Sequence, residues 1–161
     1  MAEFMTKSFG RGAARKHFPE YLTRGPPEII RELIRGVWEG DGTIDPIGCS
    51  RARFGTVSPR LAEQMLRMLK RLGYMPSVRV VHPRGMGKHD VYILALSGAQ
   101  GDRFLTEVMG VDPRLLRKGN RTYNTKNLVG SSFRSPVRRL KSVPYNGEVY
   151  NLHVEDDERY V

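Results

Sequence analysis

Gly40-Asp41-Gly42 places one carboxylate between two glycines at the end of an apolar helical pattern, and Glu39 stands just before it. The pattern runs through Leu33, Ile34 and Val37, with Gly36 and Gly40 four residues apart. Glycines at that spacing lie one above the other on a helix and let a second backbone come close. Two copies of this helix side by side bring two Asp41 carboxylates near a two-fold axis. Such carboxylates repel unless a cation sits between them. Oxygen ligands of this kind suit Mg²⁺ (or Mn²⁺), which keeps several waters and completes its shell with phosphate oxygens. A phosphodiester lying across the pair meets a site for metal-assisted, in-line displacement, with activated water attacking and a 3′-oxygen leaving.

The elements that position this acid are legible from periodicity. Pro26-Pro27 fixes a helix start, with Glu28 and Glu32 early, where the helix dipole favours acids. Ile29, Ile30, Leu33, Ile34 and Val37 supply the helical repeat. Residues 43–47 and 51–57 predict a hairpin around Gly48-Cys49-Ser50, whose second strand sets Arg51 and Arg53 against Ala52 and Phe54. Ser58 as N-cap and Pro59 at the first helical position open a second helix that Gly73 stops. A second hairpin pairs 77–82 with 91–96, and a third helix is expected over 100–109. The order is α-β-β-α-β-β-α. Asp112-Pro113 opens a short helix. Residues 120–141 are polar and basic with weak periodicity. Residues 143–154 return to strand-like alternation with an Asn146-Gly147 turn signal.

Net charge is +10 with a pI near 10.1, and its distribution is uneven. Residues 26–50 carry two bases and five acids, 51–90 nine bases and two acids, and 114–141 nine bases and no acid. Basic blocks of this density fit a polyanionic partner, with a solvated basic surface or tail as the plainer alternative. Strand-borne Arg51, Arg53 and Arg79, with Arg84, Lys88 and His89 around the second hairpin, are the candidate DNA contacts, since arginines in a major groove pair bidentately with guanine. The arm 6–25, read as irregular, and the block 114–141 are expected to hold phosphates. No apolar run approaches the ~18–20 residues that span a bilayer. No signal-peptide core is visible, so an intracellular, cytoplasmic location without membrane or small-molecule cofactor is expected. The lone Cys49 permits no internal disulfide.

Ile34-Arg-Gly-Val-Trp-Glu-Gly-Asp-Gly42 resembles the LAGLIDADG motif of homing endonucleases. His17-Phe-Pro-Glu-Tyr-Leu22, Thr56-Val-Ser-Pro-Arg-Leu-Ala62, Leu69-Lys-Arg-Leu-Gly-Tyr-Met-Pro-Ser-Val78 and Tyr92-Ile-Leu-Ala-Leu-Ser-Gly98 stand where that family places such segments, so the likeness covers roughly 17–110. Arg35 replaces the motif's usual Ala, and Trp38 is bulky at a position that packs inside. The resemblance implies an α+β fold whose curved four-stranded antiparallel sheet sits on the DNA major groove. It implies a homodimer joined through Leu33, Gly36, Val37 and Gly40. Asp41 is implied as the metal-binding and catalytic acid, the Gly42 carbonyl as a further metal ligand, and Glu39 as the motif's earlier acid. A lysine beside the scissile phosphate is also implied, for which Lys88 is the candidate. The implied activity is metal-dependent cleavage of both strands at a long near-palindromic site, leaving four-base 3′ overhangs. The alternatives are a cleavage-deficient nucleic-acid-binding protein on the same scaffold, such as a regulator or maturase, and a fragment of a larger intein. The expected organisation is a basic arm at 1–25, an endonuclease core at 26–118, and a basic linker with an intein-like segment at 119–161. That last segment, Asn146 to Val161, resembles the penultimate C-terminal block of inteins. It lacks the closing His-Asn and nucleophile, so His153 reads as strand-borne and self-splicing is not expected.

Overall fold

The computed structural model describes residues 2–47, 50–83, 88–116, 128–129, 132–133 and 139–148. Residues 1–123 form one compact unit and 124–161 another. The arm read from sequence as irregular contains two short helices, α1 (Ala2–Phe9) and α2 (Glu20–Thr23), with a 3-10 turn at Ala13–Arg15 between them. Its glycines are not breakers: Gly10 takes φ +79°, a left-handed conformation that closes α1 and is open to glycine at little cost.

The core follows the expected order. Helix α3 (Pro27–Asp41) leads into β1 (Gly42–Asp45) and β2 (Arg51–Thr56). Helix α4 (Pro59–Arg71), β3 (Ser77–Val81), β4 (Val91–Leu96) and α5 (Ala99–Glu107) complete it. The sheet is antiparallel in the order β1-β2-β4-β3. A 3-10 turn at Pro113–Leu115 replaces the expected short helix, opened by Asp112, whose side chain accepts from the Arg114 amide. In the second unit β5 (Leu128–Val129) and β6 (Ser132–Phe133) form a two-stranded ribbon. The strand expected over 143–154 does not form across 143–148, where only a bend at Gly147 appears. Residues 149–161, and with them His153, lie outside the described residues, as do Cys49 and Arg84. No helix among the described residues is long and apolar enough to cross a membrane.

Alternation puts the helices on one sheet face. Ala52, Phe54, Leu94 and Leu96 point inward onto Ile30, Ile34 and Trp38 of α3, Met65, Met68 and Leu69 of α4, and Phe104 and Leu105 of α5. Trp38 is the hub. Its ring lies 5.7 Å from Phe54 and 4.7 Å from Phe104, and Tyr74 meets Phe104 edge-on at 5.5 Å. Trp38 therefore belongs to its own chain's core, not to the outward face of α3. The chain passes from α3 to β1 with no loop, because Gly42 is already the first strand residue. A Cβ there would overlap the Trp38 ring and come within 2.6 Å of the Trp38 carbonyl. The position thus requires glycine through close approach.

A polar cluster closes the far end. The Tyr74 hydroxyl donates to Glu107 at 2.7 Å, and Arg103 donates to both Glu107 oxygens. The same guanidinium lies 4.6 Å from the Tyr74 ring centre and bonds the Leu72 and Gly73 carbonyls, which α4 leaves unpaired at its end. Burial, then the bond to Glu107, push the Tyr74 hydroxyl up. Burial pushes Glu107 up as well. The bonds from Tyr74 and Arg103 and the charges of Arg103 and Arg31 outweigh it, holding that carboxyl below the usual range. A lowered folded pKa stabilises above the unfolded value, about 4.3 for glutamate. That contribution is lost as pH falls through the folded value. Denaturant unfolding at pH 7 and pH 3 is expected to show a smaller acid loss in Glu107→Gln than in the unsubstituted protein.

Candidate active site and nucleic-acid interface

Helix α3 ends in acids. Its last turn holds Glu39 and Asp41 and no base, whereas α4 ends in Lys70 and Arg71. A helix C-terminus carries partial negative charge, so carboxylates there deepen a negative potential and cations there relieve it. Arg35 takes up Glu39 across one turn, with Nε 2.8 Å from Oε1. That contact explains the departure at Arg35: it lies on the exposed side and leaves the packing stripe alone. Asp41 is left for a different cation.

The cation that reaches Asp41 comes from the arm. Lys16 Nζ lies 3.5 Å from Asp41 Oδ2. Its position is set by main-chain bonds. Ser58 Oγ donates to the Lys16 carbonyl at 2.6 Å while accepting from the Leu61 amide, so one hydroxyl caps α4 and holds the arm. Buried Gln64 accepts from the Phe18 amide and donates to the Phe18 carbonyl, both at 2.8 Å, as a neighbouring strand would. Arg71 then bonds the Thr23 and Gly25 carbonyls. The His17 amide returns to the Phe9 carbonyl, and the Phe9 and Phe18 rings meet edge-on at 6.5 Å.

Two clefts meet at this ion pair. One, about 490 Å³, runs between the arm and α3, lined by Phe9, Arg11, His17 and Val37 among others. The other, about 360 Å³, is lined by Ala13, Gly55, Thr56, Val57 and Val91. Lys16 and Asp41 line both. Lys88 lines neither; it is exposed at the end of the β3–β4 hairpin. Sequence spacing did not single out Lys16, because its approach depends on Ser58 and Gln64, more than forty residues away. The signal available was the likeness beginning at His17, the next residue.

The sheet face away from the helices carries the arginines. Register sets Thr43, Arg53, Ala95 and Ser77 in one row and Gly55, Ile93 and Arg79 in the next, with Arg51 opposite Asp45. Arg51, Arg53 and Arg79 are all exposed on that face. Gly55 belongs to it and also lines the second cleft, so the arginine face runs up to Asp41. At the hairpin end His82 Nδ1 lies 3.0 Å from Asp90, and His89 is exposed beside Lys88.

The outward stripe of α3 is open. Gly36 and Gly40 are exposed, and a Cβ at either would meet nothing within 4 Å. Ile29, 46% exposed, continues the stripe, with Leu33 and Val37 half-buried against the core edge. Among the described residues no group of three His, Cys, Asp or Glu side chains could hold a metal. What each chain offers is hard oxygen: the Asp41 carboxylate and the neighbouring Gly42 carbonyl, at the negative end of a helix. That set fits Mg²⁺ as half a site, to be completed by water, phosphate or a second copy.

A model of the LAGLIDADG-like domain family matches residues 28–109. The chain is 35% identical, over 99% of its length, to an ATP-dependent DNA helicase Hel308 of Thermococcus kodakarensis. It is 25% identical over 99% of its length to a DNA polymerase of Thermococcus hydrothermalis. It is 25% identical over 98% to an iron-sulfur cluster assembly SufBD family protein of Mycobacterium bovis. It spans only 14%, 10% and 17% of those proteins.

Because Ser58 holds both helix and arm, Ser58→Ala is expected to cost about 1–2 kcal/mol of stability. Hydrogen–deuterium exchange should quicken at the arm amides, His17 included, more than in the sheet. Equal protection in both proteins would show that the arm is held elsewhere.

Proposed function

Because this chain belongs to the LAGLIDADG-like domain family, we propose that it is a site-specific double-strand DNA endonuclease that works as a homodimer. The observation that carries this reading is the end of α3: an acid at the negative pole of a helix at whose outward glycines an added Cβ would meet nothing within 4 Å among the described residues. Glycine inside a helix costs about 1 kcal/mol relative to alanine. Among the described residues nothing within 4 Å uses the space that a Cβ would take at Gly36 or Gly40. A partner backbone does use it, and a second α3 across a two-fold axis brings a second Asp41 beside the first.

In this reading Arg51, Arg53 and Arg79 face the bases, with Lys88 and His89 at the rim of the same surface. The sheet delivers the backbone to Asp41 through the cleft at Gly55. Asp41 and the Gly42 carbonyl would hold Mg²⁺ (or Mn²⁺), which would supply a Lewis acid for activating water and stabilising charge on the phosphodiester. The role of Asp41 is to hold the cation, and the open face of α3 sets the spacing between the two half-sites. Hydrolysis of one bond on each strand of a near-palindromic site, with four-base 3′ overhangs, follows from the family resemblance.

We infer also that the chain is an inserted element of the intein type. A helicase, a polymerase and an iron-sulfur assembly protein differ in what they do, yet each matches this chain over a small share of its own length. A segment carried between hosts accounts for that pattern, and it is the kind of segment a site-specific nuclease propagates.

Asp41→Asn is expected to keep duplex binding and to lower cleavage by on the order of a thousandfold, the scale of losing a metal's several kcal/mol. The check is sequencing of ends cut from a randomised duplex library in Mg²⁺, which reads activity, symmetry and overhang together. Near-normal cutting by the variant would remove Asp41 from the chemistry. Gly36→Ala is expected to raise the stability of the dilute monomer by about 1 kcal/mol while weakening self-association in sedimentation equilibrium. Unchanged association would argue against this helix as the dimer seam.

A further inference from the structure

The arm fixes the Lys16 backbone and leaves its side chain free. The carbonyl is bonded by Ser58, and the next two residues are bonded by Phe9 and Gln64. The ammonium, by contrast, meets Asp41 at a loose 3.5 Å, with the two side chains 52% and 61% exposed. A pair of that kind is weak and readily exchanged. It also stands where a cation is most needed, at the acid-bearing C-terminus of α3. Both clefts share it as a wall, so whatever enters either one meets Lys16 and Asp41 together.

We propose that Lys16 is a functional residue of the Asp41 site: it neutralises the carboxylate in the free protein and turns to a phosphodiester when a divalent cation takes its place. This rests on the nuclease reading. A divalent cation and an ammonium on one carboxylate repel each other, so only one holds it at a time. Lysine is a point charge on a flexible four-carbon stem, which suits exchange between two anions from one fixed backbone position. The cleft beside it also holds Arg11, so the phosphodiester that Lys16 turns to meets a second cation there.

The test uses the full chain with Lys16→Met and Lys16→Arg. Calorimetric titration with Mn²⁺ in the absence of DNA is expected to show about two- to fivefold tighter binding for Lys16→Met, the factor that matches an exposed ion pair. Lys16→Arg should bind Mn²⁺ like the unsubstituted protein. Binding to a random-sequence duplex in Ca²⁺ across a KCl series should lose about 0.9 from the log-log slope per bound protomer in Lys16→Met. Lys16→Arg should keep the slope. A merely structural lysine would move neither quantity in this direction. Unchanged Mn²⁺ affinity, or an unchanged slope, overturns the proposal while leaving the nuclease reading intact. Failure of the unsubstituted protein to bind the duplex overturns both.

Discussion

Everything in the core hangs from the contact of Trp38 with Gly42. The indole is buried between Phe54 and Phe104, and the strand begins where its ring leaves no room for a side chain. Helix and sheet therefore join without slack, and Asp41 sits in the joint. Packing prevails over polar satisfaction here, since the buried Trp38 Nε1 has no hydrogen-bond acceptor among the described residues. The arrangement fixes the azimuth of α3. With Ile30, Ile34 and Trp38 inward, Ile29, Gly36 and Gly40 face outward, and the acid comes to the sheet's edge of the helix end.

Around that joint two surfaces separate by parity. Strand alternation sends apolar residues to the helices and arginines to the opposite face, and the register sets Arg79 in the row of Gly55, which lines one cleft with Asp41. Charge follows the same division. The acids gather in α3 and bases on strands and arm; within α3 Arg35 takes up Glu39, and the cation that reaches Asp41 comes from the arm.

Much of this was legible in the sequence because local chemistry decided it. Pro26-Pro27 and Ser58-Pro59 start helices by fixed torsion and capping, and the alternation of Arg51 and Arg53 with Ala52 and Phe54 sets two faces directly. Trp38 was harder, since a helical repeat does not say whether a large residue at the border faces its own core or a partner. The contact of Lys16 with Asp41 was out of reach, because it follows from hydrogen bonds to Ser58 and Gln64 that join distant parts of the chain. The helix α1 was hidden in an arm that reads as irregular, where Gly10 closes it. At 143–148 alternation suggested a strand where no neighbouring strand pairs with it among the described residues.

The clasp on the arm reads main-chain atoms: the amide and carbonyl of Phe18 and the carbonyls of Lys16, Thr23 and Gly25. Docking of this kind does not depend on which side chains the arm displays at its solvent-facing positions. Substitutions there can accumulate without loosening the attachment. Apart from Lys16, whose ammonium meets Asp41, the solvent-facing positions of the arm are thus places where a substitution costs the attachment little.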